Sequence, residues 1–495
     1  DKALSINPNI AEAWSNKGGS LLVFKQYKEA IICFDKALSI NPQIPWGLGS
    51  LVNLKMRICA WDNLSEDTQK LRNMVESNLQ ATHPFNLLSL IDDSTLHQKA
   101  AETYTNVNYP ANLTLGGIPK IPRSEKIRIG YFSSDFRHHA VSILTAELFE
   151  LHDKNKFELV AFSFGSDDQS PMRSRLQQAF DKFIDVSSLS DLEIAKLARE
   201  LKIDIAIDLG GYTLGCRTGI FANRAAPVQV SYIGYLGTMG AKYIDYLIAD
   251  QTIIPQNLRQ LYTEKIIYLP SYQANDSTRK VADKFFTRQE LGLPKEGFVF
   301  ACFNNSYKIL PTMLDSWSRI LKAVKGSVIF LYADNEWAEQ NIINEAEKRG
   351  IDSKRIIFGK YLPASENLAR YKVCNLFLDT TPYNAGTTAS DALWTGLPVL
   401  TLIGKSFASR VAASVLNAIG LPELITSTQA EYEALAIELA LNPEKLETIK
   451  IKLSQNKKDS KLFDTPKFTK NIETAYTKIY ERYLSNLSPD HIIIE

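Results

Sequence analysis

The segment DKALSINPNI at residues 1–10 returns almost unchanged as DKALSINPQI at 35–44, an offset of 34 residues. That is the period of tetratricopeptide repeats, helix pairs that bury their apolar faces only against the neighbouring pair. Between the copies, AEAWSNKGGSLLVFKQYKEAIICFDKAL reads as two amphipathic helices, with Trp14, Gly18, Leu22, Tyr27, Ala30 and Phe34 at core and close-packing positions. One complete unit and the end of another are visible, and such stacks need about three, so further repeats are expected upstream of Asp1. Arrays of this kind form concave surfaces suited to extended chains. Asn16, one residue per unit in register, could donate and accept hydrogen bonds with a peptide backbone irrespective of sequence, the alternative being that it satisfies a neighbouring helix carbonyl.

After Pro45 the repeat signature fades into irregular helices, LVNLKMRICAW and DTQKLRNMVESNLQ the clearest, and a Pro/Gly-rich stretch marks a linker near 113–124. From Lys126 the pattern changes to short β-branched runs alternating with helical stretches. IRIGYFS, FELVAFSF, IDIAIDLGG and VQVSYIGY form one series; FVFACFNN, SVIFLYA, RIIFGKY, LFLDTTPY and PVLTLIG form a second, split from the first by NDSTRKVADKF near 275–285. Near-continuous apolar strands separated by helices indicate parallel sheets covered on both faces. The expected architecture is therefore α/β, with two Rossmann-like lobes preceded by a helical repeat segment, and ligand is expected in a central cleft beyond the strands' carboxyl ends. The expected domains are a repeat segment 1–45, a helical linker region 46–122, an N-terminal lobe 123–283, a C-terminal lobe 284–470 and a helix and tail 471–495.

Lys and Arg (56) balance Asp and Glu (55), which removes the broad electrostatic argument for nucleic acid or an anionic membrane as partner. The five cysteines are scattered and never spaced C-x-x-C, so a reducing, cytoplasmic setting is expected, with neither a disulfide framework nor a zinc site. No apolar stretch approaches the ~20 residues of a membrane span.

The strongest local signal is LFLDTTPYNAGTTASDALWTG at 376–396. A strand ending near Asp379 and a helix starting near Ala389, with Gly386, Thr387, Thr388 and Ser390 around the turn, would form an anion site from free N–H groups and a helix dipole. Asp391, one turn in, could hold ribose hydroxyls; the bland alternative is a Ser/Thr-capped helix with nothing bound. Lys308 stands just past the strand FVFACF, either as a phosphate clamp or as a solvated loop charge. His138 and His139 follow the first strand of the first lobe, and because adjacent side chains diverge, at most one serves as an acid or base. Gly-rich loops GGYT at 210–213 and IGYLGTMG at 233–240 follow further strands. Walker A, G-x-G-x-x-G with a ribose-binding acid, H-E-x-x-H and G-x-S-x-G sequences are all missing, as is a D-x-D at a strand end, so no metal is expected.

Taken in order, IRIGYFSSDFRHHAVS, DIAIDLGGYTLGCR, APVQVSYIGYLGTMG, LPSYQANDSTR, FNNSYKILP, DTTPYNAGTTASDALWTGLPVLTL and ASRVAASVL resemble the tetratricopeptide-linked O-linked N-acetylglucosamine transferases, glycosyltransferase family 41. The bacterial branch is the nearer match, and the plant Spindly-type O-fucosyltransferases are related. The resemblance runs from the repeats to about residue 485 and implies a two-lobed GT-B fold. It selects His139 as the histidine at the catalytic centre, places Lys308 on the donor diphosphate, and puts Thr387, Thr388 and Asp391 on phosphate and ribose. It also sets Gly234 in the sugar-facing loop, Asn305 beside the donor and Arg370 near the nucleoside. The animal enzyme has His where this chain has Gly386, Gln at Asn305, Pro at Leu236 and His at Asn367. The plant fucosyltransferase shares the Ala-Gly-Thr-Thr turn. The implied activity is metal-independent, inverting transfer of N-acetylglucosamine from UDP-GlcNAc to Ser or Thr of proteins bound through the repeats. GDP-fucose is the alternative donor, and a nucleotide-sugar-sensing scaffold is the alternative class.

Overall fold

The computed structural model describes residues 2–120 and 125–495; the end of the expected linker, with the 122/123 boundary, lies outside the described residues. The chain divides into two compact units, each assembled from separate stretches. One holds Asp1–Ala100, Lys280–Leu416 and Leu421–Gln455, and the other Ala101–Arg279, Asn417–Gly420 and Asn456–Glu495.

In chain order the strands are β1 (Ile127–Ser133), β2 (Phe157–Ser163), β3 (Lys182–Asp185), β4 (Ile205–Asp208), β5 (Val228–Ser231), β6 (Tyr246–Ala249) and β7 (Lys265–Tyr268). Then come β8 (Val299–Cys302), β9 (Val328–Leu331), β10 (Ile356–Phe358), β11 (Leu376–Leu378), β12 (Val399–Leu402), β13 (Ile425–Thr426) and β14 (Ile492–Ile493). The first sheet runs β3-β2-β1-β4-β5-β6-β7-β14 and the second β10-β9-β8-β11-β12-β13. All pairings are parallel. In both sheets the order reverses beside the first strand, between β1 and β4 and between β8 and β11, and ligands of such sheets lie beyond the carboxyl ends at that switch point.

The repeat forms helices Ala11–Val23 and Tyr27–Ile40. Tyr27, Ala30 and Phe34 are buried with Leu51, Leu54 and Ile58. Gly18 is required here, since a Cβ would stand 2.7 Å from the Phe34 ring.

The units differ from the expected domain boundaries in two places. Residues 46–100 are not a free-standing linker region but share the unit of the second sheet. The Asp92 carboxylate accepts from the amides of Lys405 and Ser406, both at 2.8 Å, and from Ser409 Oγ at 2.6 Å. The helix Ser94–Asn108 then runs across the division between the units. At the other end, the last helix spans Thr465–Leu484, capped by Asp464, and belongs with the first sheet. Tyr480 donates to Asp204 Oδ1 at 2.8 Å, the Asp153 amide donates to Glu473 at 2.7 Å, and β14 then pairs with β7. These long-range contacts have no signature in local sequence. Among the described residues no helix is long and apolar enough to cross a membrane.

Candidate functional site

At the switch point of the second sheet, β8 and β11 end beside each other, and the residues just past them are tied by one side chain. Asn304, 1% exposed, donates through Nδ2 to Asp379 Oδ1 at 3.1 Å and Thr380 Oγ1 at 2.8 Å, while its Oδ1 accepts from Thr388 Oγ1. Asp379 also accepts from the amides of Thr380 and Ala385 and from Thr401 Oγ1, each at 2.7 Å. Burial pushes its carboxyl up to about 6 against the pull of these donors and of the Lys308 charge. The carboxylate thereby folds residues 379–385 into a fixed turn that delivers the next helix.

That helix is Thr387–Trp394, two residues earlier than the expected start at Ala389. Gly386 is its N-cap, so no side chain caps it, and the first-turn amides have no partner of their own within the helix. Thr387, Thr388 and Asp391 are half-buried along this turn. Lys308 closes a short 3-10 turn, Ser306–Lys308, after β8. Its Nζ donates to the Asn384 carbonyl at 3.1 Å and lies 3.7 Å from the centre of the Tyr383 ring. Burial depresses its pKa to about 8, partly opposed by Asp379. At that value the amine remains mostly protonated at neutral pH. A buried ammonium and an uncapped helix start together suit a polyanion.

Arg370 is 4% exposed, with its guanidinium 4.3 Å over the Phe303 ring and Nη1 donating to the Lys360 carbonyl at 2.9 Å. Its buried Nε has no hydrogen-bond partner, and burial lowers its pKa. Asn305 is exposed on the 3-10 turn, and its carbonyl accepts the Lys308 amide at 3.0 Å.

His139 and Gly234 belong to the other unit. Past β1, the Asp135 amide donates to Ser133 Oγ at 2.9 Å, and Ser142 Oγ donates to the Asp135 carbonyl at 2.5 Å. His139 is the N-cap of the helix Ala140–Leu151, its Nδ1 accepting from the Val141 amide at 3.3 Å and standing 3.5 Å from Asp135 Oδ2. A bare Nδ1 favours the Val141 amide and puts the neutral ring's proton on Nε2; a proton on Nδ1 favours Asp135 and leaves Nε2 able to act as a base. Burial lowers the His139 pKa, with Asp135 opposing and Arg137 and His138 adding to the fall. His138 is exposed and its amide donates to Asp168. Gly234 packs against the loop after β4, where a Cβ would meet the Leu209 carbonyl oxygen at 2.0 Å. That loop is held in turn by Asp208, which accepts from the Gly210 and Gly211 amides at 2.9 and 3.0 Å.

The structure thus gathers Lys308, Arg370, Gly386, Thr387, Thr388 and Asp391 at the carboxyl end of the second sheet, with Asn305 on the adjoining surface. Sequence reasoning passed over Asn304 and Tyr383. Asn304 had one legible signal, its position directly after the β8 run at the switch point; Tyr383 had none. Among the described residues no group of three or more His, Cys, Asp or Glu side chains is placed to hold a metal ion.

The model for Glycosyl transferase family 41 matches residues 58–280 and 273–472, and that for the Tetratricopeptide repeat matches 11–44. A probable UDP-N-acetylglucosamine--peptide N-acetylglucosaminyltransferase SEC of Arabidopsis thaliana is 34% identical over 457 residues, covering 88% of this chain and 47% of that protein. A probable enzyme of the same description named SPINDLY, from Solanum lycopersicum, is 30% identical, covering 74% of this chain and 40% of that protein. The chain spans about half the length of the curated relatives it matches. Among solved structures, a Thermobaculum terrenum O-GlcNAc transferase mutant superposes with a TM-score of 0.81 at 27% identity, covering 98% of this chain and 93% of that one. Two parallel sheets with reversed order, a tetratricopeptide unit and a family match across most of the chain lead to one assignment: this chain belongs to glycosyltransferase family 41.

Proposed function

We propose that this chain transfers N-acetylglucosamine from its uridine diphosphate ester to Ser or Thr hydroxyls of proteins, with inversion and without a metal ion. The observation that carries the reading is the buried Lys308 ammonium, bonded two residues ahead of the uncapped helix start at Gly386. In the reaction the acceptor oxygen attacks the anomeric carbon, the bond from that carbon to the diphosphate oxygen breaks, and the departing diphosphate gains negative charge. Lys308 and the amides at 387–389 are the groups that stabilise this charge, while Asp391 and Arg370 orient the nucleoside. The acceptor's proton goes either to His139 Nε2 or, through water, to a donor phosphate oxygen. The names of the Arabidopsis and Solanum relatives support the donor and a peptide acceptor, and the repeat supports delivery of a protein.

The Ala-Gly-Thr-Thr turn at 385–388 supports a second donor, GDP-fucose. The test is a panel of nucleotide sugars assayed for hydrolysis and for transfer to lysate proteins, with and without EDTA. Consumption of UDP-GlcNAc, labelling of Ser or Thr and indifference to EDTA are expected. Preference for GDP-fucose overturns the donor assignment, EDTA loss restored by Mn²⁺ overturns metal independence, and binding without turnover points to a sensing scaffold.

A further inference from the structure

We propose that Tyr383 is a positioning residue for Lys308, its ring face fixing the ammonium in the orientation the donor diphosphate needs. The proposal rests on the reading of Lys308 given above. Lys308 is 9% exposed, and an ammonium has three protons to place. Its Nζ meets the Asn384 carbonyl and the face of the Tyr383 ring. A desolvated cation over an aromatic face is held by the ring's quadrupole where water would otherwise hold it.

The ring is itself held. Tyr383 is buried, with its centre 6.0 Å from Phe85 and 6.1 Å from Tyr307 in edge-on contacts, and Phe85 lies 6.0 Å from Tyr307. Tyr307 directly precedes Lys308 and Tyr383 directly precedes Asn384, so the two dipeptides are joined by a ring contact, a cation–ring contact and a hydrogen bond. Phe85 comes from the helix Pro84–Leu87, so the helical region supplies the third side of this shelf. The charged group acting on the lysine is Asp379, just past β11, which favours the charged form, while burial keeps the Cys302 thiol at the end of β8 protonated and neutral. Removing the ring face therefore leaves burial less opposed.

The experiment compares the wild type, Tyr383→Phe and Tyr383→Leu in pH profiles of kcat/KM for donor hydrolysis. The alkaline limb is expected near pH 8 in the wild type and in Tyr383→Phe, which keeps the ring. In Tyr383→Leu it should move down by roughly one unit, with roughly a fivefold loss of rate at pH 8. A Tyr383→Leu profile that differs from the wild type in amplitude alone, or a Tyr383→Phe shift as large as that of Tyr383→Leu, overturns the proposal. A second readout needs no turnover: the pH dependence of the unfolding-midpoint difference between each variant and the same variant carrying Lys308→Met reports the lysine's pKa. If hydrolysis is absent or survives Lys308→Met, the functional reading fails. The midpoint series then decides on Tyr383 alone, by showing or not showing the same downward shift.

Discussion

Lys308→Met keeps the length of the side chain and deletes its charge, and it should separate stability from activity. Burial moves the amine from 10.5 to about 8. At about 1.4 kcal/mol per unit, holding the charge costs the folded state about 3 kcal/mol. Below pH 8 the lysine is protonated in both folded and unfolded chains, and that cost is complete. Between 8 and 10.5 the unfolded chain keeps a proton the folded one has released, so the cost fades as pH rises, to about 1 kcal/mol by pH 10. The substitution also leaves the buried Asn384 carbonyl without its 3.1 Å partner, a loss of about 1 kcal/mol. The balance is a gain of about 2 kcal/mol at pH 7 that vanishes near pH 10, seen as a midpoint rise of about 3–5 °C at the lower pH. Donor hydrolysis should fall by roughly 10²–10³. Thermal unfolding at pH 7 and pH 10, paired with the hydrolysis assay, checks both halves. Equal destabilisation at the two pH values would refute the electrostatic reasoning, and an activity change below about threefold would remove Lys308 from the chemistry.

Asn304→Ala deletes two donors and one acceptor shared with Asp379, Thr380 and Thr388, and should lower stability by about 2–4 kcal/mol while raising the donor KM; denaturant unfolding and initial rates check it. Asp135→Asn removes the charge that holds up the His139 pKa. If His139 is the base, the acid limb of kcat/KM moves to lower pH and the plateau falls by roughly 10²; an unmoved limb excludes the pairing. Asn16 is exposed on its helix, so Asn16→Ala should leave folding and donor hydrolysis intact while reducing transfer to whole proteins several-fold, and equal loss of both would mean it does not touch acceptor.

The strands flanking each switch point were legible because they are buried on both faces and so read as apolar β-branched runs: β1, β2, β4 and β5 in one sheet, β8, β9, β11 and β12 in the other. Of the outer strands, only the half-buried edge strand β10 was legible, as the run RIIF. β3 has only exposed and half-buried residues at an edge, β13 and β14 are two residues long, and β6 and β7 are four-residue runs with no flanking helical pattern to mark them. The helix start at Thr387 was misplaced by two residues because three hydroxyl side chains read as caps, whereas the glycine takes that position. Asn304 and Asn305 are chemically identical in sequence. What separates them is the direction each faces after β8, one into the Asp379 network and the other into solvent.

The helical region shows most directly why composition and period could not finish the assignment. Its own core, Leu48, Val52, Met56, Leu71, Val75, Leu87 and Ile91, explains why it is helical but not where it belongs. Polar contacts place it. Asp92 holds the Lys405–Ser409 loop, where a Cβ on Gly404 would meet Asp92 Oδ2 at 2.3 Å, and its hydrogen bonds hold the carboxyl below the usual range despite burial. The Arg57 carbonyl accepts from Ser306 Oγ at 2.8 Å and Asn335 Nδ2 at 3.1 Å, and Ser306 opens the turn that ends in Lys308. Residues that would pass as linker thus hold the lysine's turn from outside the sheet. The helical region is therefore built into the unit that carries Lys308, and a strain introduced at Arg57 or Phe85 has a path of direct contacts to that lysine.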